Sequence, residues 1–346
     1  SDTGGVLANG AEVRVTGGAI ADTGTNHADL NTVANIAGGP ITATVTGIGA
    51  NLADGTLGNL GVQDQVTFQI QTGASLAEVA TITNYRKSNG SYLIDFSTNS
   101  ANLTGALSTF ITAGAAAETA NFTNALAQSN NAPILLTPLT VGSTANITDI
   151  NKLFLEAEGP VTVAVTDGAA SVLEGTDLTT SSNDVVTIDF GTKTATDAFI
   201  TEINTLAAQG AISSITGTLT LTAAQVANLS ASLDTSNSTI SFTVSNALTV
   251  AQAAGLLDHT NKSSATVQYS GGISDSLSAY VTSGASATSA LNNIVAEDPD
   301  VATTVSGVLT SIAHINDLNT LATAQTGKVI ATIETAKANL DGTNAT

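Results

Sequence analysis

The sequence predicts an α/β or α+β repeat: short helix–strand units stacked into a solenoid or a sheet-rich array. Three observations predict it. A phrase recurs as Asp29–Gly47 (DLNTVANIAGGPITATVTG), Asp149–Asp167 (DINKLFLEAEGPVTVAVTD) and Asp317–Thr335 (DLNTLATAQTGKVIATIET). In every copy Pro40, Pro160 or Lys328 lies 11 residues after the leading Asp and directly follows a Gly. Candidate strands from Val161 to Thr266 begin at steps of 24, 27, 28 and 26 residues. Self-similarity at such periods is the mark of repeat architectures, which build extended surfaces more readily than one deep cleft. Two or three β-rich, sandwich-like domains containing the same units are the alternative.

Residues 1–27 read as an extended N-terminal segment with one strand, Ala11–Gly17, a candidate for pairing with a neighbouring subunit. Residues 28–140 form an N-terminal repeat region and residues 141–346 a C-terminal one. Within the phrase, Ile150, Leu153, Phe154 and Ala157 fall at helical spacing, as do Ile315, Leu318 and Leu321. The leading Asp, or Thr148, is placed to cap that helix, and Gly39, Gly159 or Gly327 to stop it. The second half alternates with period two: Ile41, Ala43, Val45; Val161, Val163, Val165; Val329, Ala331, Ile333. A helix followed by a strand, repeated, implies parallel strands joined by crossovers. Other strands are predicted to begin near Val66, Tyr92, Ile134, Val185, Ile212, Ile240, Thr266 and Val301. Weaker copies start at Glu202, Ala223 and Val250, and the Ala-rich stretch Ser100–Asn131 reads as helical.

The 346 residues include no Cys, Met or Trp, and only 3% are aromatic, so a core must be built from Ala, Val, Ile, Leu and a few Phe. A hydrophobic content of 42%, periodically distributed, is that of a folded chain. Net charge is −20, from 28 acids against 8 bases, which would repel a nucleic-acid backbone. No apolar run reaches the ~18 residues of a membrane-spanning helix. A chain that starts with Ser and lacks Met reads as a processed product or an excised segment, and the absence of Cys fits a secreted bacterial protein.

Chemistry-bearing motifs are few. His27, His259 and His314 have no HxH, HExxH or Cys partners, so they read as helix-entry residues and not as a zinc site. Glu297-Asp298-Pro299-Asp300 puts three carboxylates on one turn. Glu297, Asp298 and Asp300 are the candidate metal ligands, with calcium as the cofactor their hard oxygens suit; a solvated acidic turn is the alternative. Glu156 and Glu158 read as an exposed helix end. No phosphate-binding glycine loop or nucleophile elbow is present, and no catalytic residue is expected.

The Ala/Thr/Ser/Gly/Asn-rich phrases resemble those of very long extracellular repeat proteins of bacteria, especially marine cyanobacteria: surface-layer, adhesin-like and filament-forming proteins. The resemblance covers Asp29 to the end. It implies a secreted, acidic structural protein at the cell surface that self-assembles into a filament or surface layer. Its partners would be copies of itself, with a surface glycan or another surface protein as a further partner. A receptor-binding adhesin or phage tail-fibre-like protein is the alternative.

Overall fold

The computed structural model describes residues 11–15, 19–21, 26–54, 60–61, 63–85, 93–96, 101–129, 131–167, 178–231, 233, 238–259, 265–284 and 286–334. The described chain is mixed α/β, with parallel sheets, many short strands and helices, and no closed barrel. It divides into two compact units, Ser1–Val172 with Asp177–Val186, and Leu173–Thr176 with Thr187–Thr346. The expected boundary at 140/141 falls inside the first unit.

In the first unit, strands Ala11–Arg14, Gly38–Gly47, Gln65–Ile70 and Leu93–Asp95 lie side by side in that order, all parallel. A second parallel run places Ala74–Ser75, Leu103–Gly105, Ile134–Leu136 and Val161–Asp167 in order. In the second unit, Ile212–Leu221, Thr239–Val244 and Val267–Gln268 are parallel neighbours. Ile273–Asp275, Thr303–Leu309 and Val329–Ile333 form another parallel sheet. Strand starts agree with the sequence expectation to within three residues, because strict apolar alternation marks one buried face. Along Val161–Asp167, Val161, Val163 and Val165 are buried and the residues between them are exposed.

The core is thin and aliphatic, with a few aromatic anchors. Phe110 meets Phe122 edge-on at 5.4 Å, and Phe190 meets Phe199 the same way at 5.5 Å. Helix entries are set by hydroxyls. The Oγ of Ser75, Thr119, Thr196, Thr249 and Thr288 each accepts the backbone N–H three residues on. At Ser75 and Thr249 a Glu78 or Gln252 side chain answers by accepting the cap's own N–H.

Three sequence readings are corrected. The leading Asp of the phrase does not cap its helix: the helices run Thr144–Glu156 and Ile312–Ala324, so Asp149 and Asp317 sit inside them, buried. Gly159 does not stop its helix through a left-handed cap, since the residue that ends the helix, Ala157, is extended. A Cβ on Gly159 would lie 2.5 Å from the carbonyl oxygens of Asn131 and Ala132, and one on Gly327 would overlap the Val301 oxygen, so close backbone approach is what demands glycine. Ser100–Asn131 is not one helix. It holds strand Leu103–Gly105, helices Leu107–Phe110 and Ala120–Gln128, and between them a two-stranded antiparallel hairpin, Ile111–Thr112 with Ala117–Glu118. Ala11–Arg14 pairs along one edge within its own chain, with Val13 opposite Ile41. The rest of the Ala11–Gly17 expectation, residues 16–17, lies outside the described residues, as does the expected strand start at Tyr92.

Gly159→Ala is expected to lower stability by roughly 1–3 kcal/mol through forced displacement of the Asn131–Ala132 backbone. Gly255→Ala, inside helix Val250–Asp258 with open space around the new methyl, should raise stability by about 0.5–1 kcal/mol. Urea unfolding of the two variants beside the parent chain measures both, and equal effects would refute the close-contact reading of Gly159.

Candidate functional site

The chain carries many more acids than bases, yet few described carboxylates are balanced by cations. Most of the informative ones accept backbone N–H groups. Asp149, on helix Thr144–Glu156, reaches the hairpin turn of Ile111–Thr112 and Ala117–Glu118, where it accepts from Gly114 N at 2.7 Å and Ala116 N at 3.1 Å. Asp317, on helix Ile312–Ala324, accepts from Gly284 N at 2.9 Å, in the turn of hairpin Val281–Thr282 with Ser286–Ala287. Gly114 and Gly284 share φ +71°, a left-handed conformation that suits glycine, and Ala116 holds φ +46° without that freedom. Lys152, one turn beyond Asp149, bridges Glu118 at 3.6 Å and also pairs with Glu156. Those carboxylates, Glu156 foremost, hold its ammonium above the usual lysine range.

A second set of acids closes strand ends. Asp64, buried, accepts from Ile41 N at 2.8 Å and from Gly61 N. Asp184, buried, accepts from Val161 N at 2.9 Å and Ser181 N at 2.7 Å. Each acid stands just before the strand that follows, Gln65–Ile70 or Val185–Thr194, and receives an N–H near the start of the strand before, Ile41 in Gly38–Gly47 or Val161 in Val161–Asp167. A carboxylate satisfies these otherwise orphaned donors with charge-assisted bonds.

The acidic turn predicted as a calcium site belongs to the same scheme. Glu297 ends helix Ser289–Glu297 and accepts from Val267 N at 3.0 Å; Asp298 accepts from Tyr269 N at 2.7 Å. Asp298 and Asp300 line an open, mainly polar pocket with Gln268, Tyr269, Ser270, Val301 and Ala302. Burial, followed by the proximity of Asp300 and Glu297, raises the Asp298 carboxyl above the usual range, while the Tyr269 N–H works in the opposite direction. The Tyr269 hydroxyl donates to Ala253 O at 3.0 Å, and burial pushes its pKa up, so the phenol stays neutral. Among the described residues no group of three or more His, Cys, Asp and Glu side chains is placed to hold a metal ion. The half-buried pair Glu297 and Asp298 is spent on a strand edge, and Asp300 is exposed.

His314 lies in the first turn of its helix, with its N–H donated to Ser311 Oγ and its Nδ1 accepting from Thr310 N. His259 is the residue that ends helix Val250–Asp258. The side chain of His27 lies outside the described residues. The structure does not bring His259 or His314 into contact with the acidic turn.

Sequence reading missed how far the likeness between segments extends. LSTFITAGA, Leu107–Ala115, matches LSAYVTSGA, Leu277–Ala285, and both give a short helix followed by a hairpin. Asp29, Ile41 and Asp64 stand 120 residues before Asp149, Val161 and Asp184. Comparison at these fixed offsets, beyond the phrase itself, would have found the paired acids.

No family model matches the chain, and no curated protein and no solved structure matches it. No described helix is long and apolar enough to cross a membrane.

Asp149→Ala is expected to cost roughly 2–3 kcal/mol, because it strands two N–H groups of a tight turn. Ala116→Gly should recover about 0.5–1 kcal/mol by relieving the left-handed residue. Chemical denaturation tests both; a neutral Asp149→Ala would refute the capping role. The raised Asp298 gives a pH test. Its folded carboxyl binds the proton more tightly than the unfolded one, so the group costs stability as pH rises from the ordinary carboxylate value through the raised one. Asp298→Asn keeps an acceptor for Tyr269 N and removes that loss. The melting temperature of the variant relative to the parent should therefore climb across this window, and a pH-independent difference would contradict it.

Proposed function

We propose that the chain is an extracellular structural subunit that assembles with copies of itself into a cell-surface filament or surface layer, and that its helix–strand segments act as stacked repeat units. The observation that carries the reading is the state of the last phrase. Strand Gly38–Gly47 has a parallel neighbour on each side, and its Ile41, Ala43 and Val45 are buried. Val329–Ile333 follows the same phrase but has one neighbour among the described residues, Thr303–Leu309. Its Ile333 is 39% exposed where Val45, at the same place in the phrase, is fully buried, and Ile330 on the other face is 44% exposed. A parallel strand with one neighbour among the described residues and with exposed β-branched side chains supports strand addition there.

Other features agree with a packing role. The surface is rich in Thr, Ser and Asn and poor in charge, which lowers the cost of desolvating subunit contacts. The described carboxylates with resolved roles hold backbone in place and do not converge on a reacting centre. Zero Cys suits an oxidising exterior without disulfides.

Sedimentation and negative-stain imaging of the purified chain over a concentration series test the reading. Extended or lattice-like assemblies that grow with concentration are expected. Discrete trimers or spikes would favour the receptor-binding fibre instead, and a chain that stays monomeric at high concentration would overturn the proposal.

A further inference from the structure

Resting on that reading, we propose that the joint between copies is a parallel strand pair. The uncovered edge of Val329–Ile333 in one copy receives the outer edge of Ala11–Arg14 in a second copy, with Lys328 of the first facing Glu12 of the second.

The occupant follows from how the chain covers the equivalent strands. Gly38–Gly47 is bordered on one side by Ala11–Arg14, with Val13 opposite Ile41, and on the other by Gln65–Ile70, with Thr42 opposite Gln65. The covering strand is parallel and is entered through an acid, Asp64, that takes the Ile41 N–H; Asp184 does the same for Val161. Val329 stands where Ile41 and Val161 stand in the phrase, and no described side chain accepts its N–H. The strand that completes this edge must therefore be parallel, short and β-branched, and must bring an acid to its start.

Ala11–Arg14, sequence AEVR, offers a short strand that pairs in parallel, with β-branched Val13 and with Glu12 near its start. Among the described residues it pairs only with Gly38–Gly47. The Glu12 side chain is 57% exposed and meets Arg14 at 3.9 Å, a contact that solvent screens. The facing charge is specific to the last phrase. Where the earlier copies have Pro40 and Pro160, the third has Lys328, exposed and one of only 8 bases in a chain of net charge −20. Bringing two such acidic chains end to end is repulsive unless a cation stands in the joint, and Lys328 puts one beside the Val329 edge. The two edges differ, so the contact is heterologous: each copy offers one edge of each kind, and copies add one after another.

The test uses the full chain. Lys328→Glu and Glu12→Lys change exposed side chains, so circular dichroism and melting should match the parent. Sedimentation should show at least a tenfold fall in association for either reversal, and recovery when both reversals are combined in one chain. As an independent reading, a chain carrying Glu12→Cys mixed with one carrying Lys328→Cys should oxidise to a mixed dimer in preference to either homodimer, since the protein has no other Cys. Assembly that survives both single reversals, with no preference for the mixed disulfide, would overturn this joint and leave self-assembly standing. A parent chain that never associates would overturn the assembly reading itself, and the joint with it.

Discussion

The structure depends on carboxylates that accept backbone N–H groups. A parallel sheet of short strands creates many chain reversals, and each leaves donors with no partner in the ladder. Large proteins can bury such donors against side-chain amides, ordered water or long caps. This chain meets them with aspartate and glutamate: Asp64 and Asp184 at strand starts, Asp149 and Asp317 at hairpin turns, Glu297 and Asp298 along an edge. The charge imbalance then has a structural reading. Several of the acids face fixed backbone dipoles and need no lysine or arginine opposite them, so a chain with 28 acids and 8 bases can fold without matched ion pairs. Asp298 marks the limit of the device. Burial, with two acids beside it and one N–H to accept, raises its carboxyl above the usual range.

The same interaction links parts distant in sequence. Asp149 and Asp317 tie a helix to a hairpin 33–35 residues earlier, and Asp64 and Asp184 tie a strand to the loop 23 residues later. Each bond therefore joins one helix–strand unit to the next, and the aliphatic core, which has few large side chains to lock register, is supplemented by polar contacts with defined geometry.

Strand positions were legible because alternation such as Val161, Val163, Val165 reports directly on one buried face. Helix entries at Thr249 and Ser75 carry readable cap signals, with Gln252 and Glu78 three residues on. The hairpins were not legible. Two-residue strands leave no period to detect, and the Ala-rich run around Gly114 has high helix propensity that tertiary contacts override. The role of Asp149 was hidden for a related reason: an Asp ahead of an apolar helical stripe looks like a cap, and only the fold brings the hairpin turn to its carboxylate. The acidic turn was visible as a cluster of ligands, but the donors it serves, Val267 N and Tyr269 N, come from about 30 residues away. The third copy of the phrase could be seen in the sequence, while its strand's having one neighbour among the described residues could not.

Gly159 and Gly327 carry a consequence for how such a chain can change. At both points the backbone of one segment rests directly on carbonyl groups of an earlier one, Asn131 and Ala132 or Asp300 and Val301. The approach of these segments is thus set by main-chain atoms, which mutation cannot resize. Side chains differ between the similar segments, with Tyr280 where the other has Phe110 and Lys328 where the phrase has Pro160. A chain held at such points by its backbone can exchange side chains around them widely, so long as the two glycines stay.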